Sequence, residues 1–265
     1  MKKVIFIVAL ISFLFSCTEH NINKEVGKKR DTIGIDISSC QEIVNWNQVK
    51  TDPNYLISFV ILRATMGDDR KDKRFISNFN GAKEAKIKVG TYHFFDLKED
   101  GKKQADNYLK SISKISSDFP PIVDIEVFKY VKHIKIIKKT IMIEKKNKKG
   151  IVLKNKKGKV IFIKKTLNQK VEYITPSAVE IKKAIGELSV FLNIIEKRTG
   201  RKPMIYSSAS FFEQYLRDFK GYPKWVSALN KSTDKIDGDI HQFTFSLSVK
   251  GIKGKVDGDR FVPKK

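Results

Sequence analysis

Two acidic residues, Asp124 and Glu126, stand at the end of an apolar run opened by two prolines, Pro120-Pro121-Ile122-Val123-Asp124-Ile125-Glu126. Side chains two apart on a strand project to the same face, so this spacing sets two carboxyls side by side where the strand ends. Neighbouring carboxylates repel, and the repulsion raises one pKa until that group can serve as an acid near neutral pH. Hydrolysis of a glycosidic bond needs such a proton donor. Asp-x-Glu is common by chance, and its weight here comes from its place after an apolar strand. The scattered histidines lack the spacing of metal ligands, and neither a metal nor an organic cofactor is implied.

Carboxyls at a strand end need a rigid sheet beneath them. Outside residues 129–173 the chain alternates short β-rich runs with helical patterns, as parallel strands joined by crossover helices do. Strands are predicted near 32–37, 59–64, 89–94, 121–124, 204–207, 224–228 and 239–243, and helices over 75–85, 102–115 and 176–199. The last helix is expected to start on Pro176, to carry Ile181, Ile185, Leu188, Leu192 and Ile195 on one side, and to stop before Gly200. Residues 129–173 break the rhythm with β-branched runs at 134–143, 150–153 and 159–163. Asn147-Lys148-Lys149-Gly150 and Asn155-Lys156-Lys157-Gly158 read as hairpin turns between them. The predicted fold is α/β, an incomplete TIM-like β/α-barrel over 31–265 with a lysine-rich β-hairpin insertion at 129–173.

The formal charge of +24 would suit a nucleic-acid binder, but its distribution argues against one. Residues 129–173 hold sixteen lysines against Glu144 and Glu172, about +14 of the total, and their few aromatics, Tyr130, Phe162 and Tyr173, are not interleaved with the lysines as a base-stacking platform needs. The amino terminus argues for export instead. Lys2 and Lys3 precede an apolar run over 4–15 that is short for a membrane span and has the layout of a secretory signal. Leu14-Phe15-Ser16-Cys17 resembles a bacterial lipobox, which makes 1–16 a signal peptide, Cys17 the lipidated first residue, and 17–30 a polar tether. The expected location is the bacterial cell envelope, with a lipid anchor in one of its membranes. Cys40 is the only other cysteine, so a lipidated Cys17 leaves no intramolecular disulfide. Cys40 is expected as a small buried apolar residue.

Several motifs in order give the chain a specific likeness. Gly34-Ile35-Asp36-Ile37-Ser38, Gln41, Trp46, the run 59–67 and Gly90-Thr91-Tyr92-His93-Phe94 come first. Pro121 to Glu126, Pro203-Met204-Ile205-Tyr206, Trp225-Val226-Ser227-Ala228, Gln242-Phe243-Thr244 and Gly254-Lys255-Val256-Asp257 follow. Together they resemble glycoside hydrolase family 25, the muramidases of the Chalaropsis lysozyme type, over nearly everything from 33 to 261 except the insertion. The resemblance implies an incomplete β/α-barrel that hydrolyses the β-1,4 bond between N-acetylmuramic acid and N-acetylglucosamine of peptidoglycan. It makes Glu126 the general acid and base, and Asp124 the group that orients the substrate acetamido in a retaining, substrate-assisted reaction. Asp36 and Asp257 complete the acidic cluster. Tyr92, Tyr206 and Trp225 are candidate sugar platforms, with Gln242 and Arg63 as further substrate contacts; packing is the plainer reading of each aromatic, and an ion pair with one of the acids that of Arg63. His93 is read as structural.

Departures from the family pattern fall in the cleft. Ser39-Cys40 stand where a His-Trp pair is common, Met66 where Glu is common, and His241 and Asp259 where Trp and Asn are frequent. One aromatic platform is therefore missing. The expected partners are peptidoglycan strands, a membrane through Cys17 and an anionic envelope surface through the insertion, with the domain a monomer. Two alternatives stay open: a catalytically weak peptidoglycan-binding lipoprotein of this fold, and a chitinase-type hydrolase, which the Gly-Ile-Asp-Ile-Ser and Val-Asp motifs fit poorly.

Overall fold

The computed structural model describes residues 31–126 and 130–264. The expected signal, Cys17 and tether lie outside them, as do residues 127–129. The strands are β1 (Asp31–Ile37), β2 (Tyr55–Met66), β3 (Arg70–Lys71), β4 (Lys88–Phe94), β5 (Ile122–Asp124), β6 (Tyr130–Glu144), β7 (Phe162–Pro176), β8 (Met204–Ser208), β9 (Lys224–Ser227), β10 (Ile240–Leu247) and β11 (Val256–Phe261). The helices are α1 (Trp46–Lys50), α2 (Phe75–Glu84), α3 (Gly101–Ile112), α4 (Ala178–Thr199) and α5 (Ala209–Tyr215).

Eight strands close into a ring in the order β1, β2, β4, β5, β8, β9, β10, β11 and back to β1. Neighbours from β1 to β10 are parallel, whereas β11 is antiparallel to both β10 and β1. The reversal follows from chain length: residues 248–255 are too few for a crossover, so β11 must turn straight back. Between β9 and β10 there is only the 3-10 turn Thr233–Lys235, so the helical layer is incomplete. The chain is thus an α/β protein with an eight-stranded, irregular TIM-like barrel.

Alternation along each strand divides the core in two. Phe59, Ile61, Tyr92, Phe119, Ile122, Met204, Tyr206, Trp225 and Ile240 pack together inside the ring. Their sequence neighbours Val60, Leu62, Val123 and Ile205 face outward, onto a cluster that includes Phe79, Tyr108, Leu188 and Phe191 of the helices. Gly34 is where these layers demand a missing side chain. A Cβ there would lie 2.1 Å from the Phe59 ring, which itself packs on Phe119 and Phe261 with centroids 5.4 and 4.8 Å away.

α4 starts later than predicted. Pro176 ends β7, and Ser177 caps the helix by accepting from Glu180 N while the Glu180 carboxylate reaches back to Ser177 N, a reciprocal box that satisfies two backbone donors. β6 and β7 pair antiparallel in a separate two-stranded sheet, with Tyr130 opposite Pro176 and Glu144 opposite Phe162. The segments expected as further strands at 150–153 and 159–163 contribute only the isolated bridges Lys146–Val152 and Lys154–Val160 before β7 begins.

Candidate active site

The carboxyl ends of the parallel strands form one rim, and the acidic residues collect there. Asp124 is the last residue of β5, opposite Phe94 on β4 and Tyr206 on β8. The backbone just beyond it is clamped to β8: Ile125 N donates to Tyr206 O at 3.1 Å, and Ser207 Oγ donates to Ile125 O at 2.6 Å. That clamp fixes the step from Asp124, which is buried, to Glu126, which is exposed. Asp36 near the end of β1 is directly opposite Asp257 near the start of β11. Only an antiparallel β11 could bring its first residues to this rim.

A fifth carboxyl, Asp259, joins them. It is fully buried, and its Oδ1 accepts the Trp225 indole N–H at 2.8 Å. Removal from water is the leading cause of every shift in the cluster: Asp124 and Asp259 are held well above the usual carboxyl range, Asp36 is pushed up to about 8 and Asp257 up to about 6. Repulsion adds to it, from Glu126 on Asp124 and Asp257, from Asp257 on Asp36, and from Asp36 on Asp259. The hydrogen bond from Gln242 Nε2 to Asp36 Oδ2, 2.8 Å, pulls the other way. The rim therefore keeps protons at neutral pH that free carboxyls would have lost. Asp124 Oδ1 is buried with no hydrogen-bond partner among the described residues.

The aromatic candidates for sugar contact are buried in the packing that was the plainer reading of each. Trp225 is 2% exposed, its ring packed 4.3 Å from Tyr206 and 6.4 Å from Tyr92 between centroids. It offers no free face and acts as a support for Asp259. Gln242 is 1% exposed and spent on two contacts, accepting from Tyr206 OH at 2.6 Å and donating to Asp36. Tyr92 and Tyr206 are buried too, and burial raises both hydroxyl pKa values, so each remains a protonated donor.

Arg63 does not pair with any carboxyl of the rim. Its Nε meets Asp72 Oδ2 at 3.0 Å, and its Nη2 donates to Ser39 Oγ at 3.3 Å. Ser39 N in turn donates to Asp72 Oδ2 at 2.8 Å, so Ser39 belongs to a structural knot behind β1. Its neighbour Cys40 is exposed rather than buried, because the turn Ser39–Gln41 leaves the barrel surface. His93 is fully buried between Thr65 Oγ1, 2.7 Å, and Gln104 Oε1, 3.1 Å, and burial lowers its pKa to about 4, which makes it a neutral structural residue. Asp259 is expected only as a departure from the family pattern, not as a fifth member of the acidic cluster, and Asp72 is not singled out by the sequence. Asp257-Gly258-Asp259 repeats the two-residue spacing of Asp124 and Glu126, and that spacing was the available signal. Among the described residues, no group of three or more His, Cys, Asp or Glu is arranged to hold a metal ion.

Comparison with known proteins agrees with this geometry. A protein of Escherichia coli, YegX, itself uncharacterised, is 27% identical over 234 residues, covering 86% of this chain and 68% of its own length. The autolytic lysozyme of Clostridium acetobutylicum is 26% identical over 231 residues, 86% of this chain and 55% of that protein. The crystal structure of a bacterial lysozyme from Streptomyces coelicolor superposes with a TM-score of 0.60 at 24% identity, over 88% of this chain and 93% of its own, which shows the shared fold. The profile of glycosyl hydrolases family 25 matches residues 35–252. A profile match across most of the barrel, on a rim of clustered carboxyls, shows that the chain belongs to glycosyl hydrolase family 25 and carries a lysozyme-like domain of that family.

Proposed function

We propose that this site hydrolyses the β-1,4 bond between N-acetylmuramic acid and N-acetylglucosamine in peptidoglycan, with retention and with the substrate acetamido group as the internal nucleophile. The observation that carries the reading is the placement of Asp124 and Glu126 at one strand end, facing Asp36 and Asp257 across the rim. Glu126, exposed at the edge, gives its proton to the bridging oxygen as the C1–O bond breaks. The acetamido carbonyl oxygen closes on C1, and Asp124, its resting proton released to water as substrate binds, accepts from the acetamido N–H and balances the positive charge that forms. Water then attacks C1 and returns a proton to Glu126, the ring formed by the acetamido reopens, and the original face is restored. The protons held by the cluster at rest spare the empty cleft from excess negative charge. Positive charge developing on the sugar favours their ionised forms.

This reading predicts new reducing ends of N-acetylmuramic acid, identified as muramitol after borohydride reduction of digested peptidoglycan. N-acetylglucosamine ends would contradict it. A second reading, a catalytically weak peptidoglycan-binding protein, is favoured by one observation: Trp225 and Gln242 are spent on internal contacts, which leaves the sugar fewer partners. A folded chain that sediments with peptidoglycan and releases no ends would support it.

The same proposal places the domain outside the cytoplasm, carried by a lipid on Cys17 and a polar tether over 17–30, on the strength of the Leu14-Phe15-Ser16-Cys17 motif. Labelled palmitate should enter the expressed chain and be absent from Cys17→Ala. Equal labelling of the two would remove the anchor from the account.

A further inference from the structure

The far end of the β6–β7 hairpin is more ordered than a solvated charge run requires. Residues 142–164 carry nine lysines and a single acid, Glu144. Two turns of the same type form it. Asn147 Oδ1 accepts from the backbone of Lys149 at 2.9 Å and of Ile151 at 3.0 Å, and Asn155 Oδ1 accepts from Lys157 at 2.9 Å and Lys159 at 3.1 Å. Gly150 and Gly158 close these turns at φ 81° and 76°, a conformation that side chains disfavour. The two small loops and the stem are then tied in a closed triangle: Lys145 N to Ile161 O, Leu153 N to Lys145 O and Ile161 N to Leu153 O, at 2.8, 2.8 and 2.9 Å.

The consequence is a fixed presentation of charge. Lys148, Lys149, Lys156 and Lys157 are all exposed on the two turns. Apolar side chains are exposed among the lysines: Ile151 at 60%, Met142 at 57% and Phe162 at 52%. We propose that this tip docks on the surface of a bilayer rich in anionic phospholipid, with the lysines at headgroup phosphates and Ile151 and Phe162 in the headgroup–acyl boundary. Lysines alone would suit any polyanion. The exposed apolar residues favour a bilayer, because an interface buries them and a soluble acidic polymer does not. Strands of fifteen residues rise roughly 3.4 Å per residue, so the stem spans about 50 Å. The hairpin starts four residues after Glu126 in the chain, so docking would tether the rim to a membrane whatever glycan the rim cuts. This inference does not rest on the muramidase reading.

Sedimentation of the full chain with phosphatidylglycerol vesicles and with phosphatidylcholine vesicles tests it. Every protein tested, the one with the wild-type tip included, carries Cys17→Ala, so that no lipid at the amino terminus holds it to either vesicle and differences between variants report on the tip. The wild type should prefer the anionic vesicles and be partly released by salt. Lys148→Gln, Lys149→Gln, Lys156→Gln and Lys157→Gln combined should weaken that partition by about 100-fold or more, taking roughly fivefold per lysine. The same four positions changed to Arg should bind like the wild type. Ile151→Ser with Phe162→Ser should lose the part of the binding that survives high salt. Unchanged unfolding midpoints in urea would show that each variant is folded, and the salt titration of the wild type stands even if one is not. Equal binding by the wild type and the four-Gln variant would overturn the proposal. So would release of the wild type from vesicles by soluble polyphosphate together with no effect of the two Ser changes, an outcome that assigns the tip to an acidic polymer.

Discussion

At the level of single residues, Asp36, Asp124, Asp257 and Asp259 hold their protons to higher pH than free carboxyls do because the fold has taken them out of water. Asp36 at about 8 and Asp257 at about 6 both lie above the ordinary value of 3.8. In that range the folded chain binds protons that the unfolded chain has released, so stability is greatest toward acid and falls as pH rises from about 4 to about 8. Urea unfolding at pH 5, 6.5 and 8 should show this decline, and Asp36→Asn should flatten it. A slope unchanged in Asp36→Asn would mean that Asp36 does not hold a proton there. Asp124 and Glu126 were legible from type and spacing, since a strand shows one face every second residue, whereas Asp36 and Asp257 came only from the resemblance to family 25. Burial was not. Nothing in the local sequence says that Trp225 and Gln242 are consumed by Asp259, Tyr206 and Asp36, because those contacts join residues more than 30 positions apart. Cys40 was misjudged for a related reason: the direction of a turn is set by what anchors it, here Ser39 and Asp72.

At the level of elements, seven of the eight barrel strands and the longer helices followed from periodicity, with errors at their ends, while β11 was missed. α1 and α5 are too short to show a helical period, with five and seven residues. Pro176 was assigned to α4 because proline suits a first helical turn, but the Ser177–Glu180 box takes that role and leaves proline to end β7. Within the barrel, Phe59 of β2 packs closely on Gly34 of β1, 2.1 Å from where a Cβ would stand. Gly34→Ala should destabilise the chain by about 3 kcal/mol or prevent folding, since an extra methyl has no space and overpacking of this kind costs about 1–3 kcal/mol or more. Adding Phe59→Leu should recover part of the loss. A fully stable Gly34→Ala in thermal unfolding would contradict the packing described for the ring floor.

At the scale of the whole molecule, the α/β class and the barrel could be read because β and α runs alternate along the chain, and the likeness to family 25 because its motifs keep their order. Closure of the ring by an antiparallel β11 could not be read from periodicity, which is blind to strand direction; only the shortness of residues 248–255 hints at it. That reversal nevertheless decides the chemistry, since it brings Asp257 and Asp259 to the rim where β5 ends. Cleavage of glycan at the rim through Glu126 is the step on which the proposed function depends. It is tested most directly by the rate at which purified peptidoglycan releases reducing ends with the wild-type chain and with Glu126→Gln. Loss of the proton donor should lower that rate by about 10²- to 10⁴-fold while the variant stays folded and still sediments with peptidoglycan. Equal rates for the two proteins would contradict the account.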